Sequence, residues 1–534
     1  MSRRNWFLFI FVGFLWGIPY LLIKVAVDEL SPAVIVFSRV AIGSLILIPM
    51  AMRLGSLMPA IKAWRYVIPY AIGEMVGPWF LITAAEEKMS SGLAGLLVAT
   101  VPIWATLIAS MHGDKTVWQS KRLIGIFIGF IGIIAILALA FLLSNNRKAI
   151  NYRTVGVGLL IQVILAVFIL KTPVGKSVFG FLGKIVQKLL QFSDKGAEFI
   201  FGPLARDSQM QEVFGQNFIF FFRVMPTIIF IAVLVKIFYH LGILQWIIKQ
   251  IAKGMHYTMR VSGSEALSNI SSAFVGQVEA QLMIGPYVKG MTNSELLASM
   301  TGSMACIAGG VMATYIQMGI DASSLLAASI MAAPGALVIS KIVWPETEVS
   351  ETAGTVKLEV KKENANLLDA ISQGASEGLG VALNVVAMLL GFLALIYLCD
   401  YLLASIGNLW GAHLTLESML GYVFSGFAYV MGVPSQDIHT VGGLMGTKLV
   451  VNEFVGYLHL KEVANTLQPV SVVIATFALC GFANFSSIAI QVGGIGKIAP
   501  SRRTDLAKLG FKALICGTLA NYLSATIAGI LLWF

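Results

Sequence analysis

Two carboxylates sit deep in apolar sequence: Glu279, within Phe274-Val275-Gly276-Gln277-Val278-Glu279-Ala280, and Glu453, within Lys448-Leu449-Val450-Val451-Asn452-Glu453-Phe454. An ionisable side chain in hydrocarbon is costly, so each marks a candidate functional position. About 30 residues after each comes an apolar segment interrupted by Gly or Asn, Cys306-Ile307-Ala308-Gly309-Gly310-Val311 and Cys480-Gly481-Phe482-Ala483-Asn484-Phe485-Ser486-Ser487. Such breaks free backbone N–H and C=O groups, which must then find a ligand, an ion or a neighbouring side chain. Matching broken segments in two halves of a membrane chain point to a transporter with its site near the bilayer midplane. The residue types suit a small polar ligand. Gln277 and Asn484 offer donors and acceptors, Glu453 can accept from a pair of hydroxyls, and Ser487 can do either. Taken singly, Gln, Asn and Ser also serve as glue between helices. The four together with two carboxylates favour a ligand site.

The elements that position these residues are membrane helices. Of 534 residues, 57% are apolar and 12% charged, which excludes a soluble enzyme or secreted module and leaves room for roughly a dozen spans. The net charge of +10, from 37 Lys and Arg against 27 Asp and Glu, fits basic cytoplasmic loops on anionic lipid rather than nucleic acid. Four apolar segments, near 6–26, 33–52, 66–85 and 91–111, occupy the first 122 residues. Arg3, Arg4, Arg53, Lys62, Arg65, Lys115, Lys121 and Arg122 fall on one side of them, so the N-terminus is expected in the cytoplasm. The next run, 123–143, is too short to cross twice, yet it places Arg147 and Lys148 on the side that the charge rule disfavours. Beyond a span at 154–170, Val178, Leu182, Ile185 and Leu189 share a helical face free of Lys176, Lys184 and Lys188, as in a helix lying in the headgroup plane. Later spans are expected at 217–238, 263–289, 295–318, 322–343, 379–404, 416–431, 441–458, 471–492 and 511–533. Residues 346–363, with five Glu and three Lys, read as a flexible loop between two halves.

Other signals are weaker. Glu74 is a candidate proton or cation site that could equally pair with Arg39. Cys306, Cys399, Cys480 and Cys516 form no metal or disulfide pattern, and the six histidines have no metal-ligand spacing. Gly493-Gly494-Ile495-Gly496-Lys497 lacks the strand and full spacing of a phosphate loop and reads as a turn. Arg3-Arg4 imitates an export signal, but without a cleavage site the following run reads as the first membrane helix. No catalytic constellation and no cofactor are expected.

From about residue 144 to 534 the chain resembles the concentrative nucleoside transporter family. The resemblance is carried by Phe222-Arg223-Val224-Met225-Pro226-Thr227-Ile228-Ile229-Phe230, Gly276-Gln277-Val278-Glu279, Ala308-Gly309-Gly310-Val311, Asn452-Glu453-Phe454-Val455 and Gly481-Phe482-Ala483-Asn484-Phe485-Ser486-Ser487. It implies an all-α polytopic transporter with inverted repeats, two re-entrant hairpins and interrupted helices, forming a homotrimer in the cytoplasmic (inner) membrane. By that resemblance Gly276, Gln277, Glu279 and Val311 surround a nucleoside base, while Glu453, Asn484 and Ser487 hold the ribose hydroxyls. In sodium-coupled members the ion takes backbone carbonyls plus an Asn and a Ser side chain; Ser272 and Cys306 stand at those two positions here. Backbone oxygens of Ser272, Val275 and Ile307 remain for a cation, but a thiol is a poor ligand for a hard one. Proton coupling through Glu279 or Glu453 is therefore expected over sodium coupling. Val278 replaces a frequent Ser or Thr, which leaves purine against pyrimidine preference open.

The first 140 residues resemble a different family, the EamA-like drug/metabolite transporters, through Phe14-Leu15-Trp16-Gly17, Lys24, Pro32, Arg39, Pro102 and Gly113-Asp114 ahead of Gly125 and Gly129. One four- to five-helix repeat is present where that family normally has two. The expected organisation is an EamA-like unit at 1–122, a junction helix at 123–143 that both units want, and the nucleoside transporter domain at 144–534. The competing functions are export of metabolites or drugs by the first unit and nucleoside sensing without transport.

Overall fold

In the computed structural model the described residues are 31–53, 57–58, 63–71, 120–206, 219–353, 364–408 and 414–533, and among them there are helices and connections but no strand. The chain divides into two units, Met1–Val117 and Trp118–Phe534. The first unit contributes α1 (Pro32–Arg53) and α2 (Trp64–Ala71). Glu74 and most of the expected EamA-like helices lie outside the described residues.

The second unit opens with α3 (Ser120–Leu142), a single helix over the junction run. The Arg147 guanidinium closes its end, donating from Nε to Phe141 O at 3.2 Å and from Nη2 to Leu142 O at 3.0 Å, as basic groups do at helix C-termini. Asn151 caps α4 (Tyr152–Lys171), and Thr172 with Pro173 starts α5 (Pro173–Phe201). On α5 the face with Val178, Leu182 and Ile185 is exposed, while Phe179, Gly183, Leu190 and Ala197 are buried. An outward apolar face of this kind suits a helix lying on a membrane surface.

One order of elements then occurs twice. First come α6 (Phe220–His240), α7 (Ile243–Met259), a hairpin of α8 (Gly263–Ser272), α9 (Glu279–Met283) and α10 (Gly285–Val288), a broken helix of α11 (Asn293–Ala305) and α12 (Gly309–Gln317), and α13 (Ala322–Val343). After the charged segment come α14 (Leu367–Gly407), α15 (Leu416–Val430), a hairpin of α16 (Ile438–Val450) and α17 (Glu453–Val463), a broken helix of α18 (Pro469–Leu479) and α19 (Phe485–Ile498), and α20 (Arg503–Trp533). Seven helical stretches among the described residues are long and apolar enough to cross a bilayer.

Local chemistry sets the starts and breaks. Capping boxes open both α8 (Ser262 with Glu265) and α11 (Thr292 with Glu295). Asn452 and Asn484 each accept from the backbone N–H three residues on, so their side chains start α17 and α19 and end what precedes them. The stretch 441–458, read from hydropathy as one span, is accordingly interrupted at Val451-Asn452.

Burial separates interior from perimeter. The spans of α11 with α12, of α13 and of α20 are 83%, 78% and 83% buried, whereas α6 and α14 are 22% and 11% buried. The interior trio forms the core, and α6 packs with α14 at the edge. Gly374 and Gly378 let α14 meet the backbone of Ile229 and Val233, and Lys236 pairs with Glu377 at 3.0 Å. Among the described residues of the expected flexible loop, 346–353 is tied down rather than free. Ser350 Oγ donates to Glu295 Oε1 at 2.5 Å, Thr352 is 5% exposed, and Glu346 pairs with the Lys341 ammonium at 3.4 Å. The Ser350 and Thr352 hydroxyls there satisfy the buried capping carboxylate of Glu295, which composition alone does not reveal.

Candidate functional site

The two hairpin tips and the two helix breaks meet in the second unit. Glu453 is the first residue of α17 and is 6% exposed. Tyr315 Oη donates to its Oε1 at 3.1 Å, and Asn484 Nδ2 donates to its Oε2 at 2.9 Å. Tyr315 belongs to α12 and Asn484 caps α19, so the carboxylate of one hairpin joins both broken helices. Both ends of the Asn484 amide are engaged, since its Oδ1 accepts from Ser487 N at 2.9 Å and from Ser486 Oγ at 2.7 Å. That fixes the amide orientation and aims Nδ2 at Glu453.

The other hairpin closes the ring. Gln491, four residues after Ser487 on α19, donates from Nε2 to Met300 O at 3.2 Å and to Gln277 Oε1 at 3.5 Å. Phe274 O accepts from Gly309 N at 3.2 Å, so the first tip touches the start of α12 just ahead of Val311. The Glu279 carboxylate folds back over the tip into the space that a Cβ on Gly276 would occupy. Glu279 itself is exposed, and Gln277 and Val311 are half-buried. A polar rim thus runs from Gln277 and Gln491, across one turn of α19 to Ser487, and on to Asn484, Glu453 and Tyr315.

The positions considered for a cation lie beneath this rim. Ser272 Oγ donates to Ser268 O at 2.8 Å and shares a 3.0 Å hydrogen bond with Ser303 Oγ. Gln281 reinforces that seam, donating to Ser303 Oγ at 2.7 Å and accepting from Ser299 Oγ at 2.6 Å. Cys306 is fully buried and its thiol lies 3.8 Å from Ser329 O, while Val275 is 6% exposed and Ile307 is buried.

Sequence reading missed Tyr315, Gln491, Gln281 and Ser303. Tyr315 and Gln491 each follow a chosen residue, Val311 and Ser487, by four positions, which places them on the same helical face. That spacing was the available signal. Tyr315 stacks against Tyr457 with ring centroids 4.4 Å apart, and Tyr457 Oη donates to Thr476 O at 2.8 Å, so both tyrosines belong to the wall.

Comparison with known proteins places these residues in a wider set. Residues 131–204, 221–322 and 324–529 match families described respectively as Na+ dependent nucleoside transporter N-terminus, Nucleoside recognition, and Na+ dependent nucleoside transporter C-terminus. Residues 4–138 match the EamA-like transporter family, so two matches run through α3. An uncharacterized transporter of Haemophilus influenzae is 45% identical over 410 residues, covering 75% of this chain and 96% of that one. Sodium/nucleoside cotransporter 1 of Mus musculus is 38% identical over 460 residues, covering 83% of this chain and 68% of that one. The solved structure of CNTnw in an inward-facing substrate-bound state superposes with a TM-score of 0.72 at 40% identity, covering 76% of this chain and 97% of that one.

Proposed function

Because the chain belongs to the concentrative nucleoside transporter family, whose members are multi-pass membrane transporters and not enzymes, we propose that it imports nucleosides across the cytoplasmic membrane by cation-coupled alternating access. The observation that carries this reading is the Glu453 carboxylate held by Tyr315 on one oxygen and Asn484 on the other. An ionised carboxylate has about four lone-pair positions. Two are used by protein donors, and the remaining two accept the paired hydroxyls of a ribose when Glu453 is ionised; when Glu453 carries the proton, one of its oxygens donates to the ribose instead. Asn484 and Ser487 complete the sugar subsite. Gly276, Gln277 and Glu279 address the base, and Val311 supplies an apolar contact to its face. The polar rim is anchored on both hairpins and both broken helices, so a ligand that bridges it favours a closed arrangement of these elements over an open one. Exchange of the site between the two sides follows from movement of this body against α6 and α14.

The coupling ion is proposed to be the proton, carried by Glu279 or Glu453. Ser272 spends its hydroxyl on Ser268 and Ser303, and Cys306 offers sulfur where a hard cation needs oxygen. Sodium coupling would have to rely on backbone carbonyls of Ser272, Val275 and Ile307. Uptake of labelled nucleoside into proteoliposomes under separate proton and sodium gradients tests this. Proton-driven uptake supports it, and uptake driven by sodium alone overturns the coupling assignment while keeping the function.

The assembly is proposed to be a homotrimer with its N-terminus in the cytoplasm, the exposed apolar length of α14 facing lipid and neighbouring copies. The match of residues 4–138 favours a second, separable reading, export of metabolites by the first unit. In that case Glu74→Gln abolishes activity and Glu453→Gln does not.

A further inference from the structure

Beside the polar rim lies a buried cation to which the transport reading assigns no role. Lys448, near the end of α16, is 1% exposed. Its ammonium donates to Ala478 O at 2.9 Å, Cys480 O at 2.9 Å and Asn521 Oδ1 at 3.2 Å. All three of its N–H donors are used, and all on neutral oxygens. A buried charge held in this way depends on the quality of its ligand shell.

The ligands are informative. Ala478 and Cys480 lie at the end of α18, where the chain unwinds before α19 and carbonyls lose their helical partners. The third oxygen belongs to Asn521 on α20, whose Nδ2 donates to Ala305 O at 2.8 Å, at the end of α11. Lys448 and Asn521 together therefore connect the second break to the first. The two breaks also approach directly, because a Cβ on Gly481 would strike the backbone of Ala305. In the first half of the repeat, the matching end of hairpin arm α8 carries Ser272, whose hydroxyl stays on Ser268 and Ser303.

We propose that Lys448 is a tethered cation for the second broken helix, binding the carbonyls released at the break as a free cation would. It fixes the turn at 480–484 and thereby sets Asn484 against Glu453. Glu453 follows Lys448 by five residues and Asn484 follows Cys480 by four, so a shift at the ammonium reaches both ribose ligands. Lys448 is a positioning residue, and its effect on ligand affinity rests on the nucleoside reading above.

The test is chemical rescue in the full chain. Uridine binding is titrated calorimetrically in detergent for wild type, Lys448→Met and Lys448→Ala, each with and without ethylammonium chloride, and melting is followed in parallel. Removing the ammonium leaves three buried acceptors without donors, so both variants are expected to lose about tenfold or more in uridine affinity. Ethylammonium should restore Lys448→Ala, which has the vacated space, but not Lys448→Met, which fills it; tetramethylammonium, lacking N–H donors, should restore neither. Lys448→Met binding uridine as wild type does, or no recovery of Lys448→Ala by ethylammonium, would overturn the proposal. Should Lys448→Ala fail to fold, it is purified with ethylammonium throughout: recovery of monodisperse protein only in its presence supports the role, and none in either condition overturns it. If the wild type binds no uridine, the nucleoside reading fails, and the amine-dependent melting of Lys448→Ala still decides the role of Lys448.

Discussion

Tyr315 and Asn484 reach the Glu453 carboxylate from two different broken helices, so each oxygen has one protein donor and keeps capacity for a ligand. Replacing Tyr315 with Phe removes one donor with little change of volume. Tyr315→Phe is expected to weaken uridine binding by about tenfold and to lower the melting temperature, since it takes the protein donor from a buried carboxylate oxygen, as calorimetry and a thermal melt would measure. The cation positions give a second expectation. Ser272→Asn together with Cys306→Ser supplies two oxygen donors to a region whose hydroxyls are otherwise paired with one another, and should increase sodium-driven uptake in proteoliposomes. Unchanged sodium dependence would show that these side chains do not set the ion. At this scale the meeting of Glu453 with Asn484 was legible, because Glu and Asn in apolar sequence demand an explanation, whereas Glu279, expected beside them, is exposed at the first hairpin tip. Tyr315 was not, because a tyrosine at helical spacing in an apolar segment reads as wall, and Gln281 was not, because nothing in its local sequence reveals the serine seam of Ser299 and Ser303 that receives it.

Breaks in helices carry the site, and the chemistry of their ends decides whether they form. Gly481 has φ of +95°, a region that L side chains rarely adopt, and a Cβ there would meet the backbone of Ala305. Gly481→Ala is expected to destabilise the protein by about 2 kcal/mol or more, seen as a lowered melting temperature. Gly493 provides the contrast: the run 493–497, expected as a turn, continues α19 as helix, and there is open space around the position of a Cβ on Gly493. Gly493→Ala should be neutral or stabilising by about 0.5–1 kcal/mol; equal losses for the two variants would contradict this account of the break. The Gly-Gly and Asn interruptions at 309–310 and 484 could be read from sequence because Gly and Asn punctuate helices. The break at Val451-Asn452 was hidden in a continuous apolar run, where a single Asn cap competes with strong hydropathy and wins only because its side chain takes the Val455 N–H. The start of the charged segment, residues 346–353, was legible as polar but not as ordered. One partner, Glu295, lies 55 residues from Ser350 and meets it only in the folded chain, while Lys341 stands five residues before Glu346 and meets it as α13 ends.

At the scale of the whole chain, two units meet in sequence at a helix that both families claim. The compact units divide between Val117 and Trp118, and α3 lies in the second, with Gly125 against the Trp533 ring and Gly129 against Ile530. Small residues at such contacts allow close helix packing in membranes. Residues 118–534 alone are therefore expected to transport nucleoside at a rate comparable to the full chain, whereas a chain cut after Leu143 and begun at Ser144 should fail for lack of α3; uptake by each truncation measures this. The presence of two family resemblances was legible from motif content, since both return as family matches. The allegiance of α3 was not, because hydropathy identifies a span without naming its neighbours, and the charge rule does not foresee that Arg147 caps the carbonyls of Phe141 and Leu142. The most direct measurement is uptake of radiolabelled uridine and adenosine into proteoliposomes carrying the full chain, with inward proton and sodium gradients imposed separately and Glu453→Gln in parallel. The expected result is accumulation above the outside concentration under the proton gradient and its loss in Glu453→Gln; no accumulation of either nucleoside under either gradient would contradict nucleoside symport by this chain.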